Sequence, residues 1–179
     1  MIGVLALMYF FLPAYLANMS PVLCKNVLKF LAVPIDGGKQ LNGKPLFGTH
    51  KTWRGLLVAV VVGTGIFIVQ TWLYKTGYAR QFAVFDYTSM PIFLGAILGL
   101  GAILGDLIKS FMKRRIGIKP GNPWFIVDQI DYVLGGVILC APFFFPGWLE
   151  FLVLLCASVL LTIVANHIAY FLKIRKVKW

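Results

Sequence analysis

The sequence predicts an all-α integral membrane protein: one membrane-embedded domain over residues 1–179, about five transmembrane helices, the N-terminus outside and the C-terminus cytoplasmic. Three observations predict it. Hydrophobic residues make up 60% of the chain and charged residues only 13%, about half the charged share of a soluble domain. Five apolar runs each approach the ~20 residues that cross ~30 Å of hydrocarbon. Threading those runs with the N-terminus outside puts 15 of the 17 bases on one side, in segments 25–54 and 109–119 and in the basic tail, and leaves only Lys75 and Arg80 opposite. Positive charge retained on the cytoplasmic side explains that asymmetry. The net charge of +11 therefore suits a membrane surface or an anionic substrate, with no nucleic acid partner.

The first span runs from Met1 to Ala17, with a possible kink at Pro13 and a break at Asn18-Met19-Ser20-Pro21. No base precedes Lys25, so a cleaved secretory signal is not expected. Residues 22–33 are apolar but carry Lys25 and Lys29; they either extend the span or lie along the interface. A polar loop over 34–55 holds five glycines and four bases. The second span covers Leu56 to Tyr74, and a linker over 75–89 follows. The third covers Met90 to Phe111 and the fourth Phe125 to Phe144; after the Pro146-Gly147-Trp148 turn, the fifth covers Leu149 to Leu172. Gly95, Gly99, Gly101 and Gly105 in the third span are small residues four apart, which let helices approach closely in lipid. Cys24, Cys140 and Cys156 form no Cys-x-x-Cys pair and read as packing residues. His50 and His167 lack metal-ligand spacing.

Charge concentrates between Gly105 and Gly136, which hold three of the six acids and five of the seventeen bases. On a helix Asp106, Lys109, Ser110 and Lys113 share one face, and Asp128, Asp131 and Gly135 share another. Short loops make the two helices antiparallel neighbours, so three carboxylates meet at one membrane face. Such carboxylates are costly and usually mark a site. They repel unless a cation neutralises them, and oxygen-only ligands suit Mg²⁺ with substrate phosphates. Lys109, Lys113 and Arg114 are placed to hold phosphate charge. The competing reading is that acids and bases merely pair, and that Lys113, Arg114 and Arg115 are a positive-inside anchor. In the 34–55 loop, a Gly-rich backbone leads to Lys51, Thr52 and Arg54 at a helix start. It reads either as an anion-binding element or as a basic interfacial loop anchored by Trp53.

Ser110-x2-Lys113-Arg114-x4-Lys119 followed by Asp128-x2-Asp131 resembles the signature of the CDP-diacylglycerol synthases, the membrane CTP:phosphatidate cytidylyltransferases. Pro120 stands where that family has Asp, a His-Gly-Gly segment is missing, and Gln129 replaces the usual Arg. The archaeal branch, the CDP-archaeol synthases, is more similar, along nearly the whole chain. Its matching pieces are Leu12-Pro-Ala-Tyr-Leu-Ala-Asn18 with Ser20-Pro21, Pro34-Ile-Asp-Gly-Gly38, Lys51-Thr-Trp-Arg-Gly55, Gly105 to Arg115, Pro123-Trp124 and Asp128-Gln-Ile-Asp131. The resemblance implies transfer of CMP from CTP to an unsaturated ether-lipid phosphate within the bilayer, with Mg²⁺, on the cytoplasmic face of the cell membrane. It implies that Asp106, Asp128 and Asp131 hold metal, and that Lys51, Arg54, Lys109, Lys113 and Arg114 hold the two phosphate groups. Thr52 and Ser110 accompany those bases in the matched motifs, and Asn18, Asp36 and Gly37 would line the nucleotide site.

Two other readings compete. A CDP-alcohol phosphatidyltransferase needs an Asp-Gly-x2-Ala-Arg element, and the chain has none. A small transporter would place acids near mid-span and often shows inverted repeats; here the acids fall near span ends and no repeat is visible.

Overall fold

The computed structural model describes residues 2–24, 26–171 and 173. Five α-helices follow in order: α1 (Val4–Leu23), α2 (Trp53–Lys75), α3 (Phe93–Arg115), α4 (Val127–Cys140) and α5 (Trp148–Phe171). Among the described residues α1, α2, α3 and α5 are long and apolar enough to cross a membrane. The chain is an all-α membrane protein; among the described residues the one sheet is a ribbon of two-residue strands, β1 (Gln40–Leu41) against β2 (Lys44–Pro45). Lys25, Leu172 and the tail bases Arg175, Lys176 and Lys178 lie outside the described residues.

The break expected at residues 18–21 does not occur: α1 continues through both Pro13 and Pro21 to Leu23. A proline removes the N–H that would bond four residues back, and here both freed carbonyls find other donors. The Ser20 hydroxyl donates to Ala17 O at 2.8 Å, the acceptor that Pro21 abandons. The Gln70 amide of α2 donates to Tyr9 O, the acceptor that Pro13 abandons. Residues 22–33 do not prolong the span as a helix: Cys24 ends α1, and a single 3₁₀ turn over Lys29–Leu31 follows. Val27, Phe30 and Val33 are exposed there, as in an interfacial segment.

The second span starts earlier than Leu56, at Trp53, because Thr52 Oγ1 accepts the Gly55 N–H and caps it. α3 runs past Phe111 to Arg115, carrying the basic cluster on a helix. α4 is shorter than the expected Phe125 to Phe144. Ile126 takes a φ of +69°, a conformation strongly disfavoured for a β-branched residue, and the helix cannot begin before Val127. At the other end Pro142 has no N–H to continue the helical hydrogen bonds, and α4 stops at Cys140. Its 14 residues span about 21 Å.

The glycines of α3 divide between two neighbours. A Cβ on Gly95 or Gly99 would strike the backbone of Gly63 or Ala59 on α2. A Cβ on Gly101 or Gly105 would strike the backbone of Gly135 or Asp131 on α4. Glycines at the crossing let the facing backbone approach this closely. Leu7, Phe10, Phe11, Phe67, Leu94 and Leu98 form the core beside these contacts. α5 is attached through hydroxyls as well as apolar contacts: Tyr15 Oη to Ser158 Oγ at 2.6 Å and Tyr132 Oη to Thr162 Oγ1 at 3.1 Å.

The Gly105→Val variant is expected to force α3 from α4 and to lower stability by about 2 kcal/mol or more. Melting in detergent checks this against Gly65→Val, whose added Cβ meets nothing within 4 Å.

Candidate active site

The loop between α1 and α2 is folded around one carboxylate. Asp36 accepts the N–H groups of Gly38 (3.0 Å), Phe47 (3.0 Å) and Gly48 (3.2 Å). Partial burial raises its pKa, but those donors stabilise the ionised form and leave it below the usual carboxylate value. The loop ends close where Ile35 N–H bonds Lys51 O at 2.8 Å and Trp53 N–H bonds Val33 O at 3.1 Å. The ribbon is strapped to the end of α3: Arg115 donates to Leu41 O at 2.7 Å and Lys44 O at 3.1 Å, and Lys44 Nζ donates back to Arg115 O at 3.0 Å. Arg115 is therefore a structural tie, and its guanidinium lies over the Phe111 ring.

This strapping brings Lys51 beside α3, where it pairs with Asp106. The three predicted carboxylates meet around one ammonium. Lys109 Nζ lies 2.8 Å from Asp106 Oδ1, 2.8 Å from Asp131 Oδ2 and 3.2 Å from Asp128 Oδ1. Lys113 Nζ donates to both Asp128 oxygens, Oδ1 at 3.0 Å and Oδ2 at 3.1 Å, and the Trp124 N–H donates to Oδ2 at 2.7 Å. Three carboxylates and three ammoniums thus form one network. The Gly105 contact places Asp131 in it, since the backbone of that residue rests on Gly105. Asp131 has the most buried side chain of the six, 5% exposed.

Two adjoining cavities, about 530 and 540 Å³, open at this end of the bundle. They share Asn18, Val22, His50, Lys51, Lys109 and Asp128 as a common wall. The first is further lined by Ser110, Lys113, Arg114, Gln129 and Asn166. The second adds Thr52, Arg54, Asp106 and Asp131. The Arg114 guanidinium is buried, and Nη1 has no hydrogen-bond partner among the described residues; a buried charge left so is suited to an incoming anion.

The structure therefore collects Asn18, Lys51, Thr52, Arg54, Asp106, Lys109, Ser110, Lys113, Arg114, Asp128 and Asp131 at one place. Asp36 and Gly37 line neither cavity; Asp36 spends its carboxylate on the loop's own backbone. His50, Gln129 and Asn166 were not expected in the site. Asn166 had one signal, a polar side chain deep in an otherwise apolar run. Its neighbour His167 bonds its own helix at Ile163 O, 2.8 Å, consistent with a packing role. The cysteines are free.

The whole chain, residues 1–179, matches the family model described as CarS-like, CDP-archaeol synthase. The chain belongs to the CDP-archaeol synthase family. The CDP-archaeol synthase of Pyrococcus furiosus is 34% identical over 177 residues, 98% of each chain. That of Sulfolobus acidocaldarius is 33% identical over 181 residues, all of both chains. A solved structure of an intramembrane enzyme for archaeal membrane lipid biosynthesis superposes with a TM-score of 0.73 at 28% identity, covering 92% of this chain and 94% of that one. As a CDP-archaeol synthase family member, the protein is a membrane-embedded cytidylyltransferase, and the transport reading is set aside.

The lowered pKa of Asp36 makes the loop pH-sensitive. A carboxylate favoured in the folded state stabilises it above the ordinary Asp pKa of about 3.9, and that stabilisation is lost as pH falls through the lowered value. Hydrogen exchange at the Phe47 and Gly48 amides should show protection at neutral pH that fades in acid. Asp36→Ala should lose that protection at every pH.

Proposed function

We propose that the protein transfers CMP from CTP to 2,3-bis-O-geranylgeranyl-glycerol 1-phosphate, giving CDP-archaeol and pyrophosphate, with Mg²⁺ held at Asp106, Asp128 and Asp131. The observation that carries this reading is the pair of cavities with a common wall, each with bases of its own. Two anionic substrates must meet, and each then has a cationic seat beside the other.

An oxygen of the lipid phosphate attacks the α-phosphorus of CTP; the bond from that phosphorus to the bridging oxygen of the β-phosphate breaks, and pyrophosphate leaves. The attacking monoester is already an anion at neutral pH, so no protein nucleophile is needed. The obstacle is repulsion between the two anions, which fixed positive groups reduce and which they reduce further as charge moves to the leaving group. Lys113 and Arg114 serve the first cavity, Arg54 the second, and Lys51 and Lys109 the wall between them. Thr52 accepts the Gly55 N–H and keeps its own proton for a ligand oxygen, whereas Ser110, in the first cavity, donates its proton to Asp106 O and would have to turn it to reach one. Asn18 adds an amide to both cavities.

The three carboxylates match a hard divalent cation in donor chemistry, being oxygens only, and one oxygen of each lies within 3.2 Å of the Lys109 ammonium. When bound, Mg²⁺ would offset phosphate charge and stabilise the departing pyrophosphate.

The bases of the 34–55 loop and of the α3 end lie at the same end of the bundle, which supports placing that end in the cytoplasm with the N-terminus outside. The plasma membrane is the proposed location. A second reading, with phosphatidate or another lipid phosphate as acceptor, keeps the same chemistry, because the polar site reads the phosphate and not the chains.

Pyrophosphate release from CTP and Mg²⁺ is expected with the ether-lipid phosphate and to fall away without it. Release with phosphatidate alone would move the acceptor. The variant Asp131→Asn should lose turnover by orders of magnitude while melting close to wild type; activity near wild type would remove Asp131 from the metal site.

A further inference from the structure

Lys109 occupies an unusual place. Its ammonium sits at the point where the three carboxylate oxygens converge, at 2.8, 2.8 and 3.2 Å. Magnesium draws carboxylate oxygens to ~2.0–2.1 Å. The three acids are thus held too far apart for a metal by the group between them, and among the described residues no three acidic, His or Cys side chains form a ready metal nest. Asp131 Oδ2 is buried with Lys109 Nζ 2.8 Å away, so the Lys109 charge offsets its burial. With Lys51 on Asp106 and Lys113 on Asp128, the cluster holds equal numbers of opposite charges. A bare cation arriving there finds no net negative charge to attract it.

We infer that Lys109 is an internal stand-in for the divalent cation: without metal its ammonium holds the three carboxylates together, and metal enters only by displacing it. The inference rests on the metal site proposed above. Lys109 has somewhere to go, because it lines both cavities. A substrate phosphate there offers the ammonium a new partner while the carboxylates gain the metal. One side chain therefore couples metal entry to the arrival of an anion, and acts as a positioning residue before it serves as a phosphate ligand.

The test uses the purified full chain, freed of metal by a chelator and with no nucleotide present. Binding of Mn²⁺ is read by electron paramagnetic resonance, and melting temperature is read in parallel. Lys109→Met keeps the length and removes the charge. It should melt below wild type without metal, recover on adding Mn²⁺, and bind Mn²⁺ at least about tenfold more tightly than wild type. Lys109→Arg keeps a larger, permanently charged group that pairs with carboxylates bidentately, and should bind Mn²⁺ more weakly than wild type. Adding Asp131→Asn to Lys109→Met should abolish the gain. Equal Mn²⁺ affinity in wild type, Lys109→Met and Lys109→Arg would overturn the stand-in role and leave the metal site in place. If Lys109→Met proves too unstable to purify, Lys109→Arg decides alone, and affinity equal to wild type overturns the role. No Mn²⁺ binding by any variant, with Asp131→Asn indistinguishable from the rest, would overturn the metal site itself and the inference with it.

Discussion

The contact between α3 and α4 is made by backbone. Gly101 and Gly105 meet the main chain of Gly135 and Asp131 with no room for a side chain. Lipid supplies little hydrophobic drive for one helix to join another, so dispersion at such close range has to do that work. Here it also sets the electrostatics. Asp106 and Lys109 follow Gly105 within about one turn, and Asp131 sits on the opposing surface of the same crossing. Moving α4 outward by the radius of a methyl group would separate Asp131 from the ammonium that offsets its burial. The ion network is thus only as close as the glycines permit.

The rest of the bundle makes the polar end affordable by repairing backbone defects locally. Two prolines lie within α1, and each would leave a carbonyl without a donor in a medium that offers no water. Ser20 repairs one from within the helix and Gln70 repairs the other from α2. Asp36 does the same for the loop, where it gathers three N–H groups that a Gly-rich backbone would otherwise leave to solvent.

These repairs also mark where sequence reading stopped. The helical class, the small-residue packing in α3 and the convergence of Asp106, Asp128 and Asp131 were legible, because periodicity and spacing determine which residues share a face. The continuation of α1 past Pro21 was not, since it depends on where one serine hydroxyl points. The short length of α4 depends on the backbone at Ile126, which delays its start, and on Pro142, which follows its end. His50, Gln129 and Asn166 reach the cavities from three separate segments, and only packing brings those segments together. Asp36 is placed by packing in the same way: it accepts three N–H groups of its own loop and lines neither cavity, a role that its place in a matched motif does not show.

The depth of the carboxylates has a consequence of its own. Asp106 lies nine residues before the end of α3, about 13 Å along the axis, and the short α4 starts at that same recessed level. The three carboxylates therefore lie beneath the rim formed by the α3 end and the strapped ribbon, and under the proposed reaction so would the reacting groups. A phosphate on a long hydrocarbon can reach such a plane without being lifted from its leaflet, where each methylene exposed to water would cost ~0.8 kcal/mol. Under the proposed reaction the water-soluble reactant would be the one that travels, descending past the bases of the rim to a partner that stays in oil.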